Sequence, residues 1–491
     1  MAKLSLEKLI ESLSQGELRA FSLSIKGNSN PNYYKLFNEI RSGKPSNTGR
    51  KSNNETQLRK YLYNHILESI IKGSKTIDSQ IAKGLKHAEV LHNRQLDSEA
   101  WKEIERVEKI AALHERFGYT IQILEWKKII GIRLKSFTTK DYKQISKKEK
   151  QTIKQYLNYL EAADVYNELQ IRKKKQGYIR DQEKLPDLSG FQNITSTEQV
   201  PKRTLYYQRM AEAIRSCLMQ DIQGQYEVTK LIVKDAEVII EANECMHAYL
   251  EHLTSCICIG KFEELLSTLS KLKSDIKKGK FGTTSDIRVK LFYYAANYEL
   301  MTYTYMGDQP NLLIKIREVE MGLKKLTDSL SVEMKLVISS ALKMAYYFSG
   351  NVKRAKKAIE HIRVNAKHQV RQDISQDVFF FNLLLCTDEN NVDEMEATLH
   401  TIKINCQLNM PQYKFEKEMF AIFSDFAVDK LNKSQLYSAL ISSYQKIVPS
   451  LSTGVSYTEN YYPYYLWAYA NQLGKPVLKV AEKLYLDNFK N

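Results

Sequence analysis

The chain has 491 residues, more than one compact core of about 250–300 residues accommodates, so it divides into two to four domains or extends as a repeat array. Its 19 Gly and 9 Pro are too few for the tight turns of an all-β fold, and 43% hydrophobic with 26% charged residues excludes a disordered chain. The net charge of +16 is uneven: residues 1–150 hold 29 Lys/Arg against 17 Asp/Glu, and residues 151–491 hold 44 against 40, so the basic excess lies in the first third.

Residues 1–75 read as an N-terminal helical region. Ser14 and Glu17 have capping-box spacing, and Leu18, Phe21 and Ile25 follow at helical intervals. A second helix is expected over Asn32–Ile40. Residues 42–54 read as a polar loop, and a further helix covers Leu58–Ile71. Residues 76–185 read as a basic helical hairpin followed by a long helix from Lys147 to about Lys175. One stripe holds Ile81, Leu85, Ala88 and Leu91, and another holds Trp101, Ile104, Val107 and Ala111. Residues 186–200, with Pro, Gly and Ser/Thr/Asn nearby, read as a linker.

Residues 201–491 turn repetitive. Helix, short turn and helix recur at Tyr249–Leu272, Leu291–Leu323, Met334–Ala366 and Val378–Ile404. Their turns at Gly260, Gly307, Gly350 and Asn390 are 47, 43 and 40 residues apart, which predicts an all-α fold, an elongated α-solenoid of antiparallel hairpins. Small residues such as Ala341, Ala345 and Ala355 let paired helices approach closely. Ala341–Ile362, with a Tyr shortly before the turn, Gly350-Asn351 in it and Ala355 after it, resembles a degenerate tetratricopeptide repeat of an uncharacterised bacterial type. Tyr249–Leu272 is similar through Gly260-Lys-Phe262. The N-terminal Leu13–Phe21 and Tyr34–Ile40 resemble the opening of some uncharacterised bacterial helical-repeat proteins. The tetratricopeptide resemblance implies a concave surface that binds a protein or peptide.

Three clusters compete for chemistry. Lys127, Lys128, Arg133, Lys135, Lys140, Lys143, Lys147, Lys148 and Lys150, interleaved with Trp126, Phe137 and Tyr142, form a candidate polyanion site: clustered cations neutralise phosphates and rings stack on bases. No nucleic-acid fold motif accompanies them, and a solvated inter-helix segment explains the same residues. Tyr461, Tyr462, Tyr464 and Tyr465 are candidate partner-binding aromatics, or the packing that closes a repeat core. Cys245, His247, His252, Cys256 and Cys258 have soft ligand chemistry. They fall in one continuous helix with no turn between ligand pairs, so no metal is assigned and less than stoichiometric zinc is expected.

No phosphate-binding glycine loop, zincin motif or nucleophile elbow occurs, so no catalytic residue or cofactor is assigned. No run of about 18 apolar residues suggests a membrane span. Glu7 and Glu11 break up the N-terminus as a secretory signal. Six scattered cysteines at 217, 245, 256, 258, 386 and 406 suit a reducing, cytoplasmic setting. The sequence therefore reads as a non-enzymatic scaffold for a protein or peptide, with an RNA- or DNA-associated factor using the basic third as the alternative. Oligomeric state is not legible.

Overall fold

The computed structural model describes residues 6–13, 15–26, 31–42, 53–74, 76–176, 188, 200–219, 221–239, 242–281, 285–327, 329–365, 372–406, 414–447 and 461–489. Of these, 87% are helical and none is in a strand; the all-α expectation holds. No described helix is long and apolar enough to cross a membrane. The linker expected over 186–200 lies outside the described residues apart from Leu188 and Val200, as do Ser14 and residues 43–52.

The chain forms two compact units. The first comprises Met1–Leu160, Val200–Arg203 and Gly282–Arg288; the second comprises Glu161–Gln199, Thr204–Phe281 and Val289–Asn491. Along the chain, the first unit gives way to the second between Leu160 and Glu161.

In the first unit, α1 (Leu6–Ser12), α2 (Gln15–Lys26), α3 (Pro31–Arg41) and α4 (Asn53–Gly73) close on Phe21, Leu36, Phe37, Leu62 and Ile66. Next come α5 (Ile77–Asn93), α6 (Asp97–Leu113), α7 (Phe117–Gly131) and α8 (Thr139–Gln176). Where a two-helix hairpin was expected ahead of the long helix, three helices stand. Their turns place Gln95 and Glu115 at φ 63° and 49°, left-handed positions that the sequence does not mark with glycine. The helices pack through Ile81, Ala88, Ile104, Val107, Ala111 and Ile123. Helix α8 begins earlier than its apolar period suggests. Thr138 Oγ1 accepts from the Asp141 N–H at 3.2 Å and Asp141 Oδ2 accepts from the Thr138 N–H at 2.8 Å, a reciprocal cap that starts the helix ahead of its apolar face.

The second unit continues with the end of α8, whose Ala162 and Leu169 pack on Ala211, Ile214 and Leu218 of α9 (Lys202–Met219). There follow α10 (Ile222–Ile239), α11 (Ala242–Cys258), α12 (Phe262–Lys277), α13 (Ser285–Tyr305), α14 (Gln309–Leu326), α15 (Val332–Phe348), α16 (Val352–Asn365), α17 (Gln372–Glu389), α18 (Val392–Asn405), α19 (Lys414–Ala427), α20 (Lys433–Ile447), α21 (Tyr462–Gln472) and α22 (Val477–Phe489). Helices pack on their neighbours in sequence, and alternate ones also touch: α15 on α17, and α17 on α19.

One kind of helix-ending turn recurs in the second unit. Gly260, Gly307, Gly350, Asn390, Asp429 and Gly474 all have positive φ. After each, the next N–H bonds the carbonyl five residues back: Lys261 to Cys256, Asp308 to Tyr303, Asn351 to Tyr346, Asn391 to Cys386, Lys430 to Asp425 and Lys475 to Ala470, at 2.7–3.0 Å. This is the helix-terminating Schellman bond, which satisfies a carbonyl that the ended helix leaves open. The same bond also closes the turns at Gln95 and Glu115 in the first unit and at Gly279 between α12 and α13; what sets the six apart is that each joins the two helices of one hairpin of the second unit. The four read from the sequence are among them, and Asp429 and Gly474 extend the series.

Candidate functional site

The basic cluster is built on α6, α7 and α8. Lys127 Nζ and Lys148 Nζ both bond the Glu108 carboxylate at 2.7 Å, and Lys128 bonds Glu149 at 2.7 Å. Lys127 also lies over the Trp101 ring, 4.9 Å from its centroid. Lys127 and Lys128 are therefore largely occupied in tying three helices together, while Lys148 is paired but half exposed. Arg133 and Lys135 are exposed in the α7–α8 connection. Lys140, Lys143, Lys147 and Lys150 are exposed on α8 at intervals of three and four residues, which places them on one helix face. Of the interleaved rings, Trp126 packs edge-on to His92 at 5.8 Å and Phe137 edge-on to Trp101 at 5.8 Å. Tyr142 is exposed.

Burial pushes the Glu108 carboxyl up, but the hydrogen bonds and charges of Lys127 and Lys148 outweigh it and hold the group below the usual carboxylate range. A depressed folded pKa means that its stabilisation is complete above the unfolded value of about 4.3 and is lost as the pH falls through the folded value. The wild-type chain is therefore expected to lose more stability than Glu108→Gln between about pH 5 and pH 3. Urea midpoints across that range measure it, and parallel curves for the two proteins would contradict the bridge.

Of the aromatic run, three rings are buried. Tyr461, Tyr462 and Tyr464 are 5%, 3% and 2% exposed. Tyr461 donates to Glu416 at 2.9 Å, Tyr462 sits edge-on to Tyr305 at 5.3 Å and Tyr464 donates to Asp377 Oδ1 at 2.7 Å. These three rings are buried in the core, and the hydroxyls of Tyr461 and Tyr464 find carboxylates there. Tyr465 is half-buried and stacks on Tyr444 and Tyr469 at 4.6 and 5.7 Å.

The soft-ligand cluster resolves differently from its sequence. His247 is exposed, and Cys245 and Cys258 are buried; none of the three joins the group that converges. That group is His252 and Cys256 of α11 with Glu264 of α12, whose donor atoms lie within 4.8 Å of one another. His252 Nε2 is 3.6 Å from Cys256 Sγ and 3.1 Å from Glu264 Oε1. Its Nδ1 is 3.1 Å from Thr229 Oγ1, and Tyr226 donates to Glu264 Oε2 at 2.7 Å while its ring stacks on the imidazole at 5.6 Å. A turn at Gly260 does separate the donors. Glu264 comes from across it, three residues into the second helix, where a search confined to one helix does not look.

As a nucleophilic pair the group is miswired. In a Cys–His–acid relay, thiol and carboxylate address opposite ring nitrogens; here both face Nε2. Burial raises the Cys256 thiol far above its ordinary value, with the Glu264 charge adding to it, and burial lowers the His252 imidazole against the opposing pull of Glu264. A neutral imidazole beside a protonated thiol is not an activated nucleophile.

The same wiring recurs 130 residues on. Asn382 Nδ2 is 3.7 Å from Cys386 Sγ and donates to Glu394 Oε1 at 3.1 Å, with Asn390 in the turn where the first hairpin has Gly260. Two hairpins of the second unit therefore share a polar clamp that differs in one residue, His against Asn. No protein family, curated protein or solved structure matches the chain.

Proposed function

We propose that the chain is a non-enzymatic scaffold of the tetratricopeptide-like kind, in which the hairpins of residues 201–491 stack as an elongated α-solenoid and present a concave face to a protein or peptide. The observation that supports it most is the regular return of this hairpin closure every 39–47 residues, at Gly260, Gly307, Gly350, Asn390, Asp429 and Gly474. Units with equivalent ends stack in register, and a stack buries one side of each hairpin while leaving a continuous surface for a ligand. The recognition is shape and charge complementarity on a preformed surface, and it needs no reacting group.

The nucleic-acid reading retains one specific support, the exposed face of Lys140, Lys143, Lys147 and Lys150 beside Tyr142. A titration of the full chain with single-stranded RNA at rising salt separates the two. Phosphate neutralisation by four lysines gives a slope of about −3 in log affinity against log salt, and Lys140→Glu/Lys143→Glu/Lys147→Glu/Lys150→Glu abolishes it with the helical circular dichroism unchanged. The scaffold reading expects no measurable RNA binding even at low salt. RNA binding that follows the salt slope and vanishes in the variant would replace it with the alternative.

A further inference from the structure

His252, Cys256 and Glu264 bring three metal-ligand atoms of different chemistry within 4.8 Å of one another. Zinc bonds of about 2.3 Å to sulfur and about 2.0–2.2 Å to nitrogen and oxygen, at tetrahedral angles, separate the ligand atoms by about 3.4–3.6 Å. The Sγ–Nε2 distance is 3.6 Å and the Nε2–Oε1 distance 3.1 Å, and all three atoms lie within 4.8 Å of one another, so shifts of a few tenths of an ångström would bring them around one ion. Imidazole, thiolate and carboxylate together select zinc or a close relative such as cobalt over calcium or magnesium, which want oxygen alone.

The surrounding residues are placed as outer partners of a metal site are. A ligating imidazole uses its second nitrogen to donate a hydrogen bond that fixes its tautomer, and Thr229 Oγ1 stands 3.1 Å from Nδ1. A ligating carboxylate is itself held by a donor, and Tyr226 bonds the far oxygen of Glu264 at 2.7 Å. With Nδ1 protonated toward Thr229, Nε2 turns its lone pair toward Cys256 and Glu264, and loss of the thiol proton leaves three ligand atoms to share one cation. His252 and Cys256 are 3% and 0% exposed, whereas the Glu264 side chain is about one-third exposed, giving an ion its way in and a water its place at the fourth position.

We propose that His252, Cys256 and Glu264 bind one divalent transition-metal ion of the zinc class, which fastens α11 to α12 across the Gly260 turn. The thiol proton leaves to solvent on binding, and the thiolate and carboxylate together neutralise the ion. The hairpin of α17 and α18 supplies the control. Asn382 stands where His252 stands, with the same contacts to Cys386 and Glu394, and a neutral amide nitrogen has no lone pair to give a metal. His252→Asn therefore copies an arrangement that the same chain already folds.

The test uses the full chain, stripped with a chelator and titrated with Co²⁺, then with Zn²⁺ in competition. The expected result is one Co²⁺ per chain with a thiolate-to-cobalt absorption band displaced by Zn²⁺. His252→Asn and Cys256→Ser should lose the band and bind at least about 100-fold more weakly, with unchanged circular dichroism, while Cys386→Ser keeps both. Thr229→Val should weaken binding by about 10–100-fold, as loss of an outer partner does. Absence of the band in the wild-type chain at saturating Co²⁺, or its persistence in Cys256→Ser, would overturn the proposal and leave a metal-free hydrogen-bonded clamp.

Discussion

Replacing Gly307 with Ala is expected to destabilise the chain by about 3–5 kcal/mol, and the same change at Gly350 by only about 1–2 kcal/mol. Both glycines hold positive φ, 67° and 85°, so both pay the left-handed cost of a Cβ. They differ in what the Cβ would meet. At Gly350 nothing lies within 4 Å, whereas at Gly307 the new atom would stand 2.2 Å from the Leu478 carbonyl oxygen and 2.4 Å from the Glu482 backbone nitrogen. These are backbone atoms of α22, and they cannot swing aside as a side chain can. The turn between α13 and α14 is thus also a contact with the last helix, and strain there must move a helix. Urea midpoints of the two variants decide the matter; equal losses would contradict the close approach at Gly307.

A comparable loss is expected at the buried ion pair in the second unit. Lys343 is 2% exposed, its ammonium bonds Asp377 Oδ2 and it lies 4.3 Å from the centroid of the Phe381 ring. Asp377 Oδ1 accepts from Tyr464, so one carboxylate joins α15, α17 and α21. Removing one member of a desolvated pair strands the other, at about 3–5 kcal/mol. Asp377 keeps its bond from Tyr464 and is about one-quarter exposed, which places Lys343→Met near the lower end, about 3 kcal/mol. Adding Asp377→Asn should recover most of that loss, because the orphaned charge is gone and the amide still accepts from Tyr464. Failure of the second substitution to rescue the first would mean that Lys343 acts by packing alone.

These sites show which part of the molecule was legible in its sequence. The helices were, because an apolar period near 3.6 with scarce Gly and Pro admits little else. The turns at Gly260, Gly307, Gly350 and Asn390 were, because the left-handed position favours those residue types. Gln95, Glu115 and Asp429 hold the same conformation without that mark, and so one expected hairpin became three helices. Long-range partners were not legible. The lysines at 127 and 148 read as free cations because Glu108 lies 19 and 40 residues away. Tyr461, Tyr462 and Tyr464 read as core packing before surface, but their sequence alone does not decide it, because a Tyr hydroxyl suits either until its partner is located. Glu264 was missed for the same reason, although the shared spacing of 252, 256 and 264 with 382, 386 and 394 was present in the sequence to be found.

The proposed role of this chain is to bind a polypeptide. It is tested most directly by capturing partners from its own host with the full-length protein, digesting half of the captured material with nuclease, and rebuilding the complex from purified components. The scaffold account predicts that at least one polypeptide survives digestion, rebinds the purified chain at a fixed stoichiometry, and does so equally well when Lys140, Lys143, Lys147 and Lys150 are reversed to Glu. Loss of every captured polypeptide on nuclease treatment, or failure of each survivor to rebind the purified chain, would contradict it.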